Sequence, residues 1–471
     1  MKLNNKIMLI TYPDSLGGNL AELSQVLKLF GSAVGGVHIL PFFPSSADRG
    51  FAPERYDMVD PRFGTYQDVE AIGRNHNLMF DFMVNHISRG SAYFRDFAEK
   101  RDQSKYRNFF IRYKDFWPSG EPTAEQLNAI YRRKPRAPYI EIAFSDGASE
   151  KLWCTFGDEQ VDLNVNAPVT REFFRKVLTG LCGHGASVIR LDAFAYAVKK
   201  AGTSCFFVEP EIWDLLHAVR DIVKPFNVEI LPEIHEHYRI QHKISDAGFW
   251  IYDFALPMLV LHALYSGDGR NLAQWIKASP RKQFTTLDTH DGIGVVDVKD
   301  LLTDEQIEFT KQKMFSNEAG VKKIYNTPDY NNLDIYQVNT TYYSALGNDD
   351  QAYLLARAVQ FFAPGIPQVY YVGMLAGRND AALAERTKNG RDINRHGYST
   401  DEVIREMGRP VVQRLLRLME FRNAHPAFSL NADIQVTLRG KGELTICRTQ
   451  ASSRAVLKAN LGTHAFTIEH T

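Results

Sequence analysis

The sequence predicts an α/β protein built on a parallel (β/α)8 barrel, the TIM barrel, with inserted subdomains after strands 3 and 7 and a small C-terminal β domain. Short apolar segments recur along the chain, and segments with helical apolar spacing separate them. The eight predicted strands are 7–11, 37–40, 78–84, 188–192, 228–233, 249–254, 284–291 and 366–371. An open doubly wound sheet is the alternative, but no glycine-rich fingerprint follows the first strand. We therefore expect a barrel whose active site lies at the carboxyl ends of its strands.

The elements follow in order from the first β–α unit. The strand 7–11 leads through a Gly17-Gly18 turn into a segment, 20–30, whose apolar residues recur at helical spacing. Two long intervals then interrupt the alternation, and the last forty residues alternate apolar and polar side chains, which predicts an antiparallel sheet. We predict barrel segments 1–86, 166–291 and 349–430, inserted subdomains 87–165 and 292–348, and a C-terminal β domain 431–471.

Composition narrows the class of partner. Lys+Arg and Asp+Glu both total 55, so the formal net charge is zero. Such a balance does not favour binding to nucleic acid or to a membrane surface. Cys154, Cys182, Cys205 and Cys447 lack the spacing of a zinc site or a disulfide framework. The N-terminal segment has too short an apolar run for a signal peptide, and no run reaches membrane-spanning length. We expect a cytoplasmic protein, monomeric or homodimeric, with no nucleic-acid or membrane partner.

The end of the fourth strand carries an arginine and an aspartate two residues apart. Strand side chains alternate, so Arg190 and Asp192 project to the same side. An arginine keeps a nearby carboxylate ionised, and an ionised carboxylate in a cleft can attack carbon. Asp192 is therefore a candidate nucleophile, although a structural ion pair is the simpler interpretation of this motif in isolation.

Other predicted strands also end in acids and histidines. If the barrel is correct, these side chains meet at one mouth: Asn85-His86, Asp192, Glu233-Ile234-His235 and His290-Asp291. Three carboxylates with imidazoles suit either a metal site or glycoside cleavage by a nucleophile and an acid/base. Each acid stands at a different strand end beside arginine or aromatic residues, which favours sugar chemistry. We expect no metal and no cofactor.

These strand ends resemble the α-amylase superfamily, whose four short regions are matched by 81–86, 189–192, Glu233 and 289–291. Within this superfamily the chain is most similar to the sucrose phosphorylases. The segments that carry this similarity begin at residues 9–12 and end at residues 390–396. The resemblance implies Asp192 as nucleophile, Glu233 as general acid/base and Asp291 as the carboxylate that stabilises the transition state. The implied substrates and products are sucrose, inorganic phosphate, glucose 1-phosphate and fructose. The substrate contacts it implies are Asp48, Phe51, His86, Phe156, Gln160, Arg190, Tyr196, His235, His290, Leu333, Asp334, Ile335, Tyr336, Gln337 and Arg395.

The acid/base needs a proton at neutral pH. Leu231 and Pro232 before Glu233 and Ile234 after it are apolar, and apolar surroundings favour the protonated form of a carboxyl group.

A basic loop bears on the choice between phosphorylase and hydrolase. Arg132, Arg133, Lys134 and Arg136 put four cations into five residues, and a solvated loop is the simpler interpretation of the charge run. In the family a cation of this loop, an aromatic residue near the nucleophile and the loop 333–337 hold phosphate. The predicted phosphate contacts are Arg133, Lys134, Arg136, Tyr196 and Tyr336; some relatives have an arginine where this chain has Lys134.

The sequence leaves other substrates and functions open. The basic cluster also suits a phosphate carried on the fructose, so sucrose 6′-phosphate is the second candidate substrate. Other glucosides such as glucosylglycerate are the next candidates. A hydrolase or glucoside isomerase on the same scaffold, or a non-catalytic sugar-binding protein, are further possibilities; the three intact acids argue against the last. Calcium is common in the superfamily, often at the position of Asn85, but the phosphorylase branch does not depend on it.

Overall fold

The computed structural model describes residues 3–133, 136–144, 147–317 and 337–471. Its main sheet contains eight parallel strands in the order β6-β7-β8-β1-β2-β3-β4-β5. Because β5 and β6 stand at the two ends of that order, the barrel is nearly closed, and the predicted fold is confirmed. The strands are β1 Met8–Thr11, β2 Gly36–Ile39, β3 Asn77–Met83, β4 Ala186–Asp192, β5 Glu229–Pro232, β6 Ile251–Asp253, β7 Gln283–Thr285 and β8 Ile366–Tyr370.

The seventh strand is shorter than the predicted segment 284–291, because β7 ends at Thr285. Beyond it the chain makes side-chain contacts instead of ladder hydrogen bonds. Asp288 lies 2.6 Å from the fully buried Arg357 and also accepts a hydrogen bond from the Tyr370 amide at 3.4 Å. His290 and Asp291 therefore stand on a loop beyond the strand.

Helices surround the barrel. The predicted helix 20–30 is present as Leu20–Phe30, with the Asn19 side chain accepting from the Glu22 amide at its start and all five periodic apolar residues buried. Further α-helices are Tyr66–Gly73, Ala92–Lys100, Tyr113–Phe116, Ala124–Ala129, Pro168–Gly183, Glu211–Val223, Tyr238–Asp246, Leu256–Ser266, Arg270–Ala278, Asp304–Ser316, Tyr342–Ala345, Asp350–Phe362, Tyr371–Met374, Ala381–Thr387, Thr400–Met407 and Pro410–Ala424.

Two short antiparallel pairs tie the inserted segments to the mouth of the barrel. His86–Ser88 pairs with Gln160–Asp162, which places Gln160 and His86 at the same edge. Ile293–Gly294 pairs with Gln337–Val338, which brings Gln337 back towards the mouth. A separate hairpin joins Tyr139–Ala143 to Ser149–Trp153.

The C-terminal region forms the predicted antiparallel sheet, with strands β9 Asp433–Arg439, β10 Glu443–Gln450, β11 Ser453–Asn460 and β12 Phe466–His470. The exact boundaries of the predicted domains stay a prediction. All four cysteines lie in the described part of the chain and are free thiols. Within the described residues, no helix combines the length and apolar character needed to cross a membrane.

Candidate active site

A cavity of about 700 Å³ opens at the carboxyl ends of the barrel strands. The three predicted catalytic acids, Asp192, Glu233 and Asp291, all line it. Of the predicted sugar and phosphate contacts, it is lined by Asp48, Phe51, His86, Arg133, Arg136, Phe156, Gln160, Tyr196, His235, His290 and Gln337. Lys134, Leu333, Asp334, Ile335 and Tyr336 lie outside the described residues.

Arg190 lies directly beneath the nucleophile candidate. Its Nη1 is 3.0 Å from Asp192 Oδ1 and also contacts Asp81, while its Nη2 is 3.5 Å from Glu233 Oε1. Burial raises the pKa of Asp192 well above its ordinary value; Arg190 opposes this rise, and Glu233 adds to it. The contact of Arg190 with Asp192 is shorter than its contact with Glu233, so the guanidinium favours the ionised form of Asp192.

Glu233 has polar surroundings, not the apolar ones that its sequence neighbours predicted. Its Oε2 accepts a hydrogen bond from the Ala193 amide at 2.9 Å, and its Oε1 lies 3.4 Å from His235 Nε2. Leu231 is buried in a hydrophobic cluster away from the cavity lining, whereas Ile234 lines the cavity beside the acid.

Asp291 is paired with a residue that the sequence analysis did not single out. Arg391 Nη1 lies 3.2 Å from Asp291 Oδ1 and 3.9 Å from Asp48 Oδ1, and it lines the cavity. Burial alone raises the pKa of Asp291, but Arg391 and neighbouring cations outweigh burial and lower it. Asp291 is therefore ionised.

Arg395 stands behind the cavity wall, although it was predicted to contact the sugar. Its Nε and Nη2 donate to the His290 carbonyl at 3.1 and 3.0 Å, and it is buried without lining the cavity. Arg391 and Arg395 lie in the same short motif, and nothing in that motif indicates which arginine faces the cavity.

Aromatic rings form the wall near Asp48. Phe51 stacks on His290, with ring centroids 4.9 Å apart and planes at 4°. His86 Nε2 and Gln160 Nε2 both lie 2.9 Å from the Phe51 carbonyl, which fixes the backbone that carries this ring. Burial lowers the pKa of His290 to about 3, so this wall presents a neutral imidazole.

The arginines of the basic loop make different contacts in the structure. Arg133 donates to the Tyr196 hydroxyl and lies 5.2 Å from the centre of the Tyr196 ring, whereas Arg136 forms an ion pair with Asp158 at the cavity. Arg132 donates to the Leu127 carbonyl at 2.8 Å and does not line the cavity. Asp158 was missed by the sequence analysis, because nothing in the chain pairs it with a loop far from it in sequence.

Two places in the described structure have the ligand types that bind cations. Glu233, His235 and Asp291 offer ligand atoms within 4.8 Å of one another, but Arg190 and Arg391 already contact the two acids. Asn85, the calcium-associated position of the superfamily, accepts a hydrogen bond from Lys199 Nζ at 2.5 Å, and the same ammonium lies 2.6 Å from Asp162 Oδ2. A lysine thus supplies the positive charge among these oxygens.

A (β/α)8 barrel with carboxylates at the ends of β4 and β5 and on the loop after β7, around one cavity, is the arrangement of a glycoside-acting enzyme. The α-amylase catalytic-domain profile matches residues 18–252. A sucrose phosphorylase from Streptococcus mutans is 55% identical over 472 residues, covering 100% of this chain and 98% of that protein.

A sucrose 6(F)-phosphate phosphorylase from Thermoanaerobacterium thermosaccharolyticum is 43% identical over 479 residues, covering 100% of this chain and 98% of that protein. The crystal structure of sucrose 6F-phosphate phosphorylase from Thermoanaerobacter thermosaccharolyticum matches with a TM-score of 0.95 at 43% identity, covering 100% of this chain and 96% of that chain. The chain belongs to the sucrose phosphorylase family of the α-amylase superfamily.

Proposed function

We propose that the chain is a phosphorylase that cleaves sucrose with inorganic phosphate, forming α-D-glucose 1-phosphate and fructose with retention of configuration. The observation that carries the proposal is one cavity that combines Asp192, Glu233 and Asp291 with Arg133. The 55% identity with a sucrose phosphorylase over the whole chain supports it.

In the first step Asp192 attacks the anomeric carbon and the bond to the fructosyl oxygen breaks. Glu233 gives its proton to that oxygen, so that fructose leaves as a neutral alcohol. The transition state carries positive charge on the glucosyl ring, which the ionised Asp291 stabilises. The product is a β-glucosyl ester of Asp192.

In the second step a phosphate oxygen attacks the anomeric carbon and the ester bond to Asp192 breaks. Glu233 takes up the proton that the attacking phosphate releases. Two inversions give net retention. We propose that phosphate is bound by Arg133, Lys134, Arg136, Tyr196 and Tyr336. The two arginines can form strong charge-assisted hydrogen bonds with the phosphate oxygens.

Sucrose 6′-phosphate is the second candidate substrate, because a close relative named for it shares 43% identity over the whole chain. The higher identity with a sucrose phosphorylase, 55% against 43%, supports sucrose as the first candidate. A hydrolase or isomerase on the same scaffold is the remaining alternative. Because the product is a charged sugar phosphate, which does not cross membranes freely, we infer a cytoplasmic enzyme. We propose that it is a monomer or a homodimer.

The test measures glucose 1-phosphate and fructose release from sucrose and from sucrose 6′-phosphate at equal concentrations, with and without inorganic phosphate. We expect glucose 1-phosphate from sucrose at a rate that rises with phosphate. Faster release from sucrose 6′-phosphate would favour the second candidate. A rate of sucrose consumption that does not depend on phosphate would favour a hydrolase or isomerase.

A further inference from the structure

His235 lies between two carboxylates. Its Nε2 is 3.4 Å from Glu233 Oε1, and its Nδ1 is 3.4 Å from Asp297 Oδ2. The imidazole is buried and stacks on Phe254 with ring centroids 3.8 Å apart. Because stacking fixes the plane of the ring and Asp297 accepts from Nδ1, Nε2 is held towards Glu233.

Asp297 is itself buried, in the middle of a 3-10 turn, Val296–Val298, that follows the Ile293–Gly294 strand. A side chain at position 294 would collide with its carboxylate, so the absence of one at Gly294 makes room for the contact with His235. Among the described residues, Asp297 reaches the cavity lining through His235.

We propose that Asp297 is a positioning residue of the reaction. It acts through His235 and keeps the ring nitrogen that faces Glu233 protonated. This inference rests on the proposed role of Glu233. Glu233 gives its proton to the fructosyl oxygen in the first step and then stands as a carboxylate beside the His235 ring. A ring held protonated by Asp297 stabilises that carboxylate until Glu233 takes up the proton that the attacking phosphate releases.

The charges around His235 support this arrangement. Burial lowers the pKa of His235, but Asp297, Glu233 and Asp291 outweigh burial, and the pKa is raised. Of the neighbouring cations, Arg190 contacts Glu233, and Arg133 donates to the His235 carbonyl at 3.5 Å. Glu236 adds a further negative charge near Asp297. Removing the charge of Asp297 should therefore make this proton leave at a lower pH.

The test compares Asp297→Asn with the wild-type enzyme on two substrates. With sucrose we expect the basic limb of the kcat/KM profile to move to lower pH by about one unit, equivalent to about tenfold in proton affinity. With α-glucosyl fluoride, whose leaving group needs no proton, we expect first-turnover fluoride release to keep its rate and its basic limb. A merely structural role would lower both reactions together.

Asp300→Asn is the matched control, because Asp300 lies 2.9 Å from His237 Nε2 in an Asp–His pair outside the cavity. It should leave both profiles unchanged. His235→Gln removes the ring on which Asp297 acts, so adding Asp297→Asn to that variant should shift nothing further. If Asp297→Asn does not fold, Asp297→Ser, which also removes the charge and keeps a hydrogen-bond acceptor, takes its place in the same comparison.

An unshifted sucrose profile in the Asp297 variant, or equal loss on both substrates, would overturn the inference. Glu233→Gln separates this result from failure of the proposed function. If that variant loses sucrose turnover but keeps fluoride release while Asp297→Asn shifts nothing, only the role of Asp297 fails.

Discussion

Arg190 Nη1 lies 3.0 Å from Asp192 Oδ1, and both residues come from strand β4. The same guanidinium contacts Asp81 from β3 and Glu233 after β5. Three neighbouring strand ends are thus joined through one buried cation. Arg190 opposes the rise that burial causes in the pKa of Asp192, and so favours the ionised form of this cavity-lining carboxylate.

Asp192→Asn keeps the shape of the side chain and removes the nucleophile. Turnover of sucrose should fall by more than about 10⁴-fold, as when other enzymes lose a covalent nucleophile. Mass spectrometry of enzyme quenched with sucrose should show a glucosyl ester in the wild type and none in the variant. A glucosyl adduct on another residue would contradict the assignment.

Glu233→Gln removes the acid but keeps the volume of the side chain. Sucrose turnover should nearly vanish, since general acid catalysis contributes about 10²–10⁴-fold and the fructosyl oxygen leaves poorly without a proton. First-turnover fluoride release from α-glucosyl fluoride should change little. Equal loss on both substrates would show that Glu233 is not the acid/base.

The basic loop gives a prediction that separates phosphorolysis from hydrolysis. Arg133→Ala, Lys134→Ala and Arg136→Ala should each raise the KM for phosphate modestly, since a hydrogen bond to a charged group contributes about 1.5–3 kcal/mol and neighbours can substitute. The triple variant should hydrolyse sucrose in phosphate-free buffer and form little glucose 1-phosphate.

Arg132→Ala is the matched control for this series, because Arg132 belongs to the same loop but donates to Leu127. Its KM for phosphate should equal that of the wild type. Unchanged phosphate dependence in the triple variant would reduce the cluster to a solvated loop and move the phosphate site to Tyr196 or the loop 333–337.

Lys199→Met should destabilise the fold. The Lys199 ammonium is buried against Asp162, Asn85 and the Tyr196 carbonyl. Removing one partner of a buried ion pair costs about 3–5 kcal/mol, because the other charge stays buried. Thermal melting should show a clear drop in Tm, whereas a chelator should leave the Tm of the wild type unchanged.

Lys200→Met serves as the control for Lys199→Met, since Lys200 pairs with Glu211 at the surface. Exposed pairs contribute about 0–1 kcal/mol, so its Tm should stay close to that of the wild type. A similar loss in both variants, or a lower Tm with chelator, would contradict the role given to Lys199.

The barrel could be predicted because its signals are local. Apolar runs and helical spacing identify strands and helices within a few residues, as in the helix Leu20–Phe30. The acids after β4 and β5 followed from the rule that parallel strands bring their carboxyl ends together. The end of β7 was less predictable, because the contact of Asp288 with Arg357 joins positions far apart in sequence.

The sequence by itself determined the barrel, the C-terminal sheet and the convergence of Asp192 and Glu233, since alternation along a strand and the direction of parallel strands are properties of the backbone. Only the tertiary structure decided that Arg391 faces the cavity while Arg395 supports His290, and that Asp297 stands behind His235. These contacts depend on how loops pack across the mouth of the barrel, where the partner of a charged side chain is set by distance in space and leaves no periodic pattern in the chain.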